Sequence, residues 1–262
     1  MNFIYRQLAK ILLDIASKEE KLLGGKIACF SHDIISQKIM IDGLFEKREL
    51  LAFQHFVRHR NVDLATCLDV GANIGNHSLF FARMFKKVVS FEPNDRTFRL
   101  LKFNSELADN VVVVNYGLSN RTAELPAIVD DFNIGGARIA DGETPNLLFN
   151  VVALDSFLAE NPENKISFIK IDVEGHELEA LEGAAQTLRA HRPLLAMEMR
   201  ARKHRQKFLD VLDLISRHGY ETAHVIDANP FLRDNARFLT MSLSEFRNGR
   251  AKNHKMVLFS CG

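Results

Sequence analysis

The stretch Cys67-Leu-Asp-Val-Gly-Ala-Asn-Ile-Gly-Asn-His77 predicts the fold around which this chain is organised. In it a short apolar strand breaks at a turn that contains Gly71 and Gly75, and an apolar helix, Ser78–Phe85, follows at once. Glycine permits a tight turn and a close approach of the backbone to a ligand, and a helix N-terminus offers unpaired N–H groups to an anion. Asn73 stands where many such loops have a further glycine, and asparagine tolerates left-handed backbone conformations better than most residues. The stretch therefore indicates a strand-turn-helix site for a nucleotide or a nucleoside.

An acidic residue follows the next predicted strand. Glu92 comes directly after the run Val88–Phe91 and 21 residues after Gly71, and Pro93 and Asn94 continue the turn. A carboxylate at this place can accept hydrogen bonds from both ribose hydroxyls of a bound nucleoside. The glycine turn and the acidic residue together fit either a dinucleotide or S-adenosylmethionine.

A third group of ionisable residues lies on the strand that begins at about residue 166. Because side chains alternate along a strand, Lys170, Asp172 and Glu174 share one side of it. A lysine within an apolar strand needs a charged partner or loses its charge, and Glu198 on the following strand is a candidate partner. This favours a structural role for Lys170 over a catalytic one. Asp172, Glu174 and His176 lie at the carboxyl end of the strand, where open α/β sheets bind their ligands. They are the candidate catalytic residues.

Short apolar runs alternate with helical patterns from Thr66 onward. Runs that are apolar on both faces and separated by helices are typical of a parallel sheet that helices cover on both sides. The predicted strands are Cys67–Val70, Val88–Phe91, Val111–Asn115, Ile166–Ile171, Leu194–Met197, Tyr220–Ile226 and His254–Ser260. The predicted helices beyond residue 170 are His176–Ala190 and Ala201–His218. A 27-residue connection, Asp227–Asn253, contains a capping box that starts at Ser242, and we expect it to be partly helical and to act as a lid or as a wall of the acceptor site.

Residues 1–60 are predicted to form an N-terminal cap, and residues 61–262 the main domain. An apolar stripe, which is typical of an amphipathic helix, predicts a helix that docks on the main domain or on a second subunit. Attachment to a membrane surface is the alternative, although the polar face of the helix is not especially basic. The stripe consists of Ile4, Leu8, Ile11, Leu12 and Ile15. A short strand pair, Lys26–Ser31 and Ser36–Ile41, and a helix from Glu46 to His59 complete the predicted cap.

Four segments, taken in order, resemble the FkbM family of S-adenosylmethionine-dependent methyltransferases. They read LDVGANIGNHSLFFA, FEPN, VVALDSFL and FIKIDVEGHELEALEGA, and the resemblance extends from about Glu46 to Glu198. It implies a class I, Rossmann-like α/β fold whose seven-stranded sheet has the order 3-2-1-4-5-7-6, with the last strand antiparallel and helices on both faces. It also implies S-adenosyl-L-methionine as the cofactor and, usually, a hydroxyl oxygen as the methyl acceptor.

The resemblance assigns roles to individual residues. Asp172 matches the family residue near the reacting methyl group, and Glu92 matches the ribose ligand. The predicted cofactor-binding residues are Asp69, Gly71, Ala72, Asn73, Gly75, Asn76, Glu92, Pro93 and Asn94. Beyond Glu198 the chain matches no part of the family pattern, so the resemblance does not identify the acceptor.

Composition limits the alternatives. The 262 residues include 34 Lys and Arg against 33 Asp and Glu, so no overall field would attract nucleic acid or an anionic membrane. The three cysteines are far apart in sequence, which favours a reducing cytoplasm over a disulfide framework. No apolar run is long enough to predict a membrane span. His55 and His59 have the spacing of a helical metal pair but lack an acidic third ligand, so no metal site is predicted.

The leading hypothesis is an O-methyltransferase for a small-molecule acceptor. Arg200–Lys207 contains five cations and the connection Asp227–Asn253 is also basic, which predicts an anionic acceptor such as a phosphorylated or nucleotide-linked sugar. The alternatives are a nicotinamide-dependent oxidoreductase and a non-catalytic nucleoside-binding module. No tyrosine is followed four residues later by lysine, so the oxidoreductase reading lacks its expected acid.

Overall fold

The computed structural model of the protein describes residues 6–8, 10–11, 27–31, 33–130, 133–200, 205–227, 237–249 and 253–262. Its strands are β1 Thr66–Val70, β2 Lys87–Phe91, β3 Val111–Val114, β4 Gly117–Leu118, β5 Ala123–Asp130, β6 Asn133–Ile139, β7 Leu147–Val152, β8 Ile166–Ile171, β9 Leu194–Arg200, β10 Tyr220–Ile226, β11 Phe238–Ser242 and β12 Asn253–Cys261. Its longer helices are α1 Ile34–Asp42, α2 Lys47–His59, α3 Asn76–Ala82, α4 Asp95–Ser105, α5 Leu154–Glu160, α6 Glu177–Glu182, α7 Ala185–His191, α8 Arg205–Arg217 and α9 Leu243–Asn248.

The main sheet has eight strands in the order β3-β2-β1-β8-β9-β12-β10-β11. β1 pairs in parallel with β2 and β8, and β12 runs antiparallel to β9 and β10. The first seven strands of this order follow the predicted arrangement, and the eighth, β11, corrects it. β11 belongs to the connection Asp227–Asn253 and pairs antiparallel with β10, whose edge would otherwise be unpaired.

A second sheet, which the sequence-based prediction lacks, arises from the segment between β3 and β8. It has four strands in the order β4-β7-β5-β6. Its strands are hard to recognise because β4 has two residues and β5 contains Pro126, a residue that argues against a strand interior. The carbonyl oxygen of Pro126 nevertheless accepts a hydrogen bond from Ala140 N at 2.8 Å.

The predicted strand pair in the cap is wrong. Residues 27–30 have no regular secondary structure, and α1 covers the second predicted strand. The Asp33 carboxylate accepts a hydrogen bond from Ser36 N at 3.2 Å, and Gly43 ends the helix with a φ of 76°. A side-chain cap of this kind satisfies an otherwise unpaired helix N–H, so it favours the helix over a strand.

The predicted helix His176–Ala190 is two helices, α6 and α7, which are separated at Gly183. A Cβ atom on Gly183 would lie 1.9 Å from the carbonyl oxygen of Ser119, so the chain after β4 packs directly on this glycine. The Gly183 carbonyl oxygen also accepts a hydrogen bond from Asp155 N at 2.9 Å. These long-range contacts break the helix, and they are absent from its local sequence.

The cap helix α2 shares a core with the main sheet. The ring of Phe53 lies 4.5 Å from the ring of Phe168 on β8, measured between centroids, and Phe53 is fully buried. Of the predicted amphipathic helix, the structure describes residues 6–8 and 10–11, which are helical, and Leu8 and Ile11 are about half exposed. Ile4, Leu12 and Ile15 lie outside the described residues. None of the described helices has the length and apolar character that crossing a membrane requires.

Candidate active site

The loop between β1 and α3 has the backbone that its glycines predict. The φ angles of Gly71, Asn73 and Gly75 are 76°, 50° and 93°, all in the left-handed region. A Cβ atom on Gly71 would lie 1.9 Å from the carbonyl oxygen of Asp172, so only glycine fits where β1 and β8 end side by side. The loop is thereby fixed against the strand that carries the candidate catalytic residues.

Glu92 is buried beside this loop. Its Oε2 atom accepts a hydrogen bond from Asn73 N at 2.9 Å, and its Oε1 atom accepts one from Asn94 N at 3.0 Å. Burial raises the pKa of Glu92 to about 7, although these two hydrogen bonds oppose the shift. Each carboxylate oxygen has a second acceptor site, so Glu92 can also accept two hydroxyl donors. Pro93 lines the same cavity as Glu92.

Lys170 has partners other than the predicted one. Its Nζ atom lies 3.1 Å from Asp69 Oδ1 and 3.6 Å from Asp172 Oδ2, and it donates to the carbonyl oxygen of Gly71 at 3.2 Å. The strand register explains the correction, because Asp69 on β1 lies directly opposite Lys170 on β8. Burial lowers the pKa of Lys170, but the two carboxylates outweigh it and hold that pKa above its usual value. Glu198 instead binds Arg200, at 2.7 Å.

Two of the predicted cofactor-binding residues, Asp69 and Asn76, form contacts within the protein. Asp69 is fully buried and accepts a hydrogen bond from the Ser78 hydroxyl at 2.6 Å, in addition to its contact with Lys170. The Asn76 side chain lines a cavity, but its Oδ1 accepts from Phe45 N at 3.0 Å and its Nδ2 donates to Phe45 O at 3.1 Å. Asn76 thus ties the cap to the start of α3.

The three candidate catalytic residues lie together after β8, and each has a distinct environment. Glu174 has a φ of 48° and binds Arg200 at 2.8 Å, and burial raises its pKa to about 7 against the charge of Arg200. His176 Nε2 lies 2.9 Å from Ser119 Oγ, and burial lowers the pKa of His176. The carboxylates of Asp172, Glu174 and Glu198 come within 4.8 Å of one another. A cation would fit that spacing, but the side chains of Lys170 and Arg200 already supply positive charge there.

Three cavities meet at these residues. The first, the Glu92 cavity, extends from Glu92 to the second sheet, which contributes Phe149 and Val151. The second, the Glu46 cavity, has a volume of about 260 Å³ and is lined by Glu46 and His77. The third, the large cavity, has a volume of about 970 Å³; its lining includes Ser119, Arg121, Arg138, His176, Glu179 and Lys207. Glu174 lines all three.

The predicted basic segments contribute unevenly to these cavities. Arg200 and Lys207 line the large cavity, whereas Arg205 lies over the ring of Phe208, with its Cζ 5.2 Å from the ring centroid. The intervening residues 201–204 lie outside the described residues, as do residues 228–236 and 250–252. The described residues of the predicted lid are 227, 237–249 and 253, and none of them lines the three cavities. Most of them belong to β11 and α9. They include the predicted capping box between Ser242 and Glu245.

Sequence reasoning missed several of the cavity residues. Glu46 and His77 approach the loop from the cap and from α3, and Arg138 and Phe149 belong to the unpredicted second sheet. No local pattern distinguishes these residues, because their proximity depends on how the cap and the second sheet pack. The FIKIDVEGHE segment and the glycine loop, by contrast, are contiguous in sequence and were recognisable.

Comparison with known proteins supplies the family. A model of the methyltransferase FkbM domain matches residues 69–222, more than half of the chain. The chain belongs to the FkbM methyltransferase family. The match begins at Asp69 in the glycine loop and ends within β10, so it contains Glu92, Glu174 and His176 and excludes the cap.

Individual relatives of this FkbM protein are distant or partial. The hexuronic acid methyltransferase AglP of Haloferax volcanii is 32% identical over 123 residues, which are 47% of this chain and 51% of AglP. The chain therefore spans about half the length of this relative. A methyltransferase FkbM from Methylobacillus flagellatus has 16% identity and a TM-score of 0.49 over 96% of this chain and 58% of its own. An O-methyltransferase from Bacillus cereus in complex with SAH has 15% identity and a TM-score of 0.48, and the match covers 97% of this chain and 90% of that one.

Proposed function

We propose that this FkbM-family enzyme transfers a methyl group from S-adenosylmethionine to a hydroxyl oxygen of a small anionic acceptor, of the sugar-acid class. One observation carries the proposal. Glu174 stands where the Glu92 cavity, the Glu46 cavity and the large cavity meet. A two-substrate transfer needs such a point, because the donor and the acceptor have to approach each other away from bulk water.

The residues of the Glu92 cavity fit the adenosine part of the cofactor. Glu92 is buried with one free acceptor site on each oxygen, which suits two ribose hydroxyls. Leu118, Phe149 and Val151 provide an apolar wall for an adenine ring. When it is bound, the cofactor supplies an electrophilic methyl group on a sulfonium centre.

Glu174 is our choice for the group that takes the proton from the acceptor hydroxyl. Burial raises the pKa of Glu174 to about 7, and a general base works best when its pKa is near the working pH. Arg200, at 2.8 Å, fixes the direction of the carboxylate. Asp172 and His176 flank Glu174, and we assign them to positioning of the two substrates.

The large cavity suits an anionic acceptor. Arg121 and Lys207 line the large cavity together with His176, and their charges add to burial in lowering the pKa of His176. Neither cation has a carboxylate within 4 Å among the described residues, whereas Arg138 binds Glu143 at 2.8 Å. Two cations without carboxylate partners beside the base can bind a carboxylate or phosphate of the acceptor. AglP is a hexuronic acid methyltransferase by name, and a hexuronic acid has both a carboxylate and hydroxyl groups.

Calorimetric titration tests the cofactor assignment. S-adenosylmethionine and S-adenosylhomocysteine should both bind in the micromolar range, and the nicotinamide dinucleotides should not bind at comparable concentrations. Binding of a nicotinamide dinucleotide alone would favour the oxidoreductase alternative. Binding of S-adenosylmethionine with no methyl transfer to any sugar acid, sugar or phosphorylated sugar would favour a non-catalytic module.

Methyl transfer to matched sugars tests the acceptor assignment. A glucuronide and the corresponding glucoside differ only at C6, where one has a carboxylate and the other a hydroxymethyl group. We expect the glucuronide to have the higher kcat/KM, and the double variant R121Q/K207Q to raise its KM without a change for the glucoside. K102Q, on the exposed side of α4, is the matched control. Equal kcat/KM values for the two sugars in the wild type would contradict an anionic acceptor.

A further inference from the structure

Glu46, a residue outside the matched FkbM domain, is held at the edge of the candidate cofactor site. It precedes α2 and has a φ of 53°, a left-handed conformation that is uncommon for a residue with a Cβ atom. The two hydrogen bonds between Asn76 and the backbone of Phe45 hold the chain in this position. A backbone that is both uncommon and clamped to the start of α3 suggests that the place of the Glu46 side chain matters.

The Glu46 carboxylate is largely buried, and its nearest charged neighbour is the exposed Lys255. Its side chain is 10% exposed, and among the described residues neither oxygen accepts a hydrogen bond. Its Oε2 lies 3.6 Å from His77 Nε2, and its Oε1 lies 3.5 Å from Nζ of the exposed Lys255. Burial lowers the pKa of His77 to about 3, so the imidazole is neutral and cannot balance the charge. A buried carboxylate in this state gains much from a cation that enters the cavity.

The charge of the Glu46 cavity complements that of the cofactor. The described ionisable residues that line it are four carboxylates, Glu46, Asp172, Glu174 and Glu198, and three cations, Lys170, Arg200 and Lys255. Burial raises the pKa values of Glu46 and Glu174 to about 7, so at pH 8 both are mostly ionised. With His77 neutral, the lining then has an excess of about one negative charge. S-adenosylmethionine has an ammonium, a sulfonium and a carboxylate, and therefore a net charge of one positive.

The two smaller cavities are continuous around the glycine loop. Gly71, Asn73 and Asp172 line both the Glu92 cavity and the Glu46 cavity. A cofactor whose ribose is bound by Glu92 therefore extends past this loop, and its amino-acid part enters the Glu46 cavity. We propose that the Glu46 carboxylate accepts a hydrogen bond from the α-ammonium group of the cofactor. This inference rests on the proposed function, and it assigns part of the cofactor site to the N-terminal cap.

The test uses two ligands that differ only in the amino group. Calorimetric titration at pH 8 compares S-adenosylhomocysteine with its deamino analogue, which keeps the carboxyl group, in the full-length wild type and in E46Q. We expect E46Q to weaken binding of S-adenosylhomocysteine by about tenfold, as for a charged hydrogen bond, and to leave the deamino analogue within about twofold. E49Q, the same substitution one turn further along α2 and outside the cavity lining, should change neither affinity.

Each other outcome has a definite meaning. Unchanged affinity of E46Q for S-adenosylhomocysteine would overturn the proposal, and so would an equal loss for both ligands, which would mean that Glu46 only supports the loop. If E46Q does not fold in a thermal unfolding assay, E46D replaces it, since it keeps the charge but shortens the side chain, and a selective loss for S-adenosylhomocysteine is again expected. Failure of the wild type to bind either ligand would instead reject the proposed function.

Discussion

Two largely buried glutamates, Glu92 and Glu46, line the two cavities that share the glycine loop, and they are held in place by different means. Burial raises the pKa values of Glu92 and Glu46 to about 7. Glu92 accepts hydrogen bonds from Asn73 N and Asn94 N, both close to it along the chain or in the adjoining loop. Glu46 accepts none among the described residues, and it is positioned through the contact of Phe45 with Asn76.

The difference shows that one site can contain a residue positioned by neighbouring loops and another positioned by the packing of a distant segment. The position of Glu92 follows from the end of β2 and the neighbouring loop, so it is part of the FkbM domain itself. The position of Glu46 depends on docking of the cap, whose α2 packs Phe53 against Phe168. We therefore expect substitutions near Glu92 to act on every ligand with a ribose, and substitutions near Glu46 to act on the amino-acid part alone.

The largest effect is expected at Glu174, which lines both the Glu92 cavity and the Glu46 cavity. E174Q keeps the shape of the side chain but cannot take up a proton, so single-turnover methyl transfer should fall by roughly 10²–10⁴-fold. Affinities for S-adenosylhomocysteine and its deamino analogue should both stay within about threefold, since Glu92 and Glu46 are unaltered. Rapid-quench measurement of one turnover checks this, with the exposed E160Q as a control. Normal turnover in E174Q together with a loss in D172N or H176N would assign the base to one of those residues.

A loss of stability is expected from substitution of Lys170, whose Nζ atom lies between the carboxylates of Asp69 and Asp172. K170M leaves the carboxylate of Asp69 buried without its cation, which should lower the free energy of unfolding by about 3–5 kcal/mol. Urea denaturation measures this change. K87M removes a cation whose ion pair with Glu163 is partly exposed and should cost no more than about 1 kcal/mol. Equal stability of the two variants would show that the Asp69 charge is compensated elsewhere.

A substitution at Glu92 should weaken both ligands equally. E92Q replaces one oxygen by an NH₂ group, which would face the N–H donor of Asn73 or of Asn94 and could no longer accept a ribose hydroxyl. We expect both S-adenosylhomocysteine and its deamino analogue to lose about 1–3 kcal/mol of binding free energy in calorimetric titration. Selective loss for one of the two ligands would contradict the assignment of the ribose to Glu92 and of the amino group to Glu46.

The smallest effect is expected at Asn76, whose side chain holds the backbone of Phe45. N76A removes both hydrogen bonds to Phe45, so the cap should hold Glu46 less firmly. S-adenosylhomocysteine affinity should fall by about threefold, corresponding to a net hydrogen-bond contribution, while the deamino analogue binds as before. N161A, which removes an exposed hydrogen bond from the Asn161 side chain to the Phe157 carbonyl oxygen at the end of α5, serves as the control. A tenfold loss for both ligands would instead mean that Asn76 supports the loop as a whole.

The parts of the site that are contiguous in sequence could be predicted, and the parts that depend on packing could not. The glycine loop and most strands of the main sheet follow from apolar runs and turn residues, which act locally, whereas the strand order followed from the resemblance to the FkbM family. The partner of Lys170 required the register between β1 and β8, which places Asp69 opposite it. Glu198 was the predicted partner because it lies on the next predicted strand along the chain, and the sequence alone contains no register.

Long-range contacts also explain the errors in secondary structure. The interruption between α6 and α7 follows from the packing of Ser119 on Gly183, two residues that are far apart in the chain. In the second sheet β4 has only two residues, and the partly exposed β5 contains Pro126, so its pattern is weak. This sheet supplies Phe149 and Arg138 to the cavities, which is why the acceptor side was the least predictable part of the site.

A crystal structure of the protein with S-adenosylhomocysteine tests the central claim most directly. The ribose hydroxyl oxygens should lie within about 3.2 Å of both Glu92 carboxylate oxygens, with the amino-acid part on the Glu46 side of the loop and the sulfur facing Glu174. A ribose bound away from Glu92, or a sulfur that faces away from the large cavity, would contradict the account of this protein as a methyltransferase whose donor lies across the glycine loop.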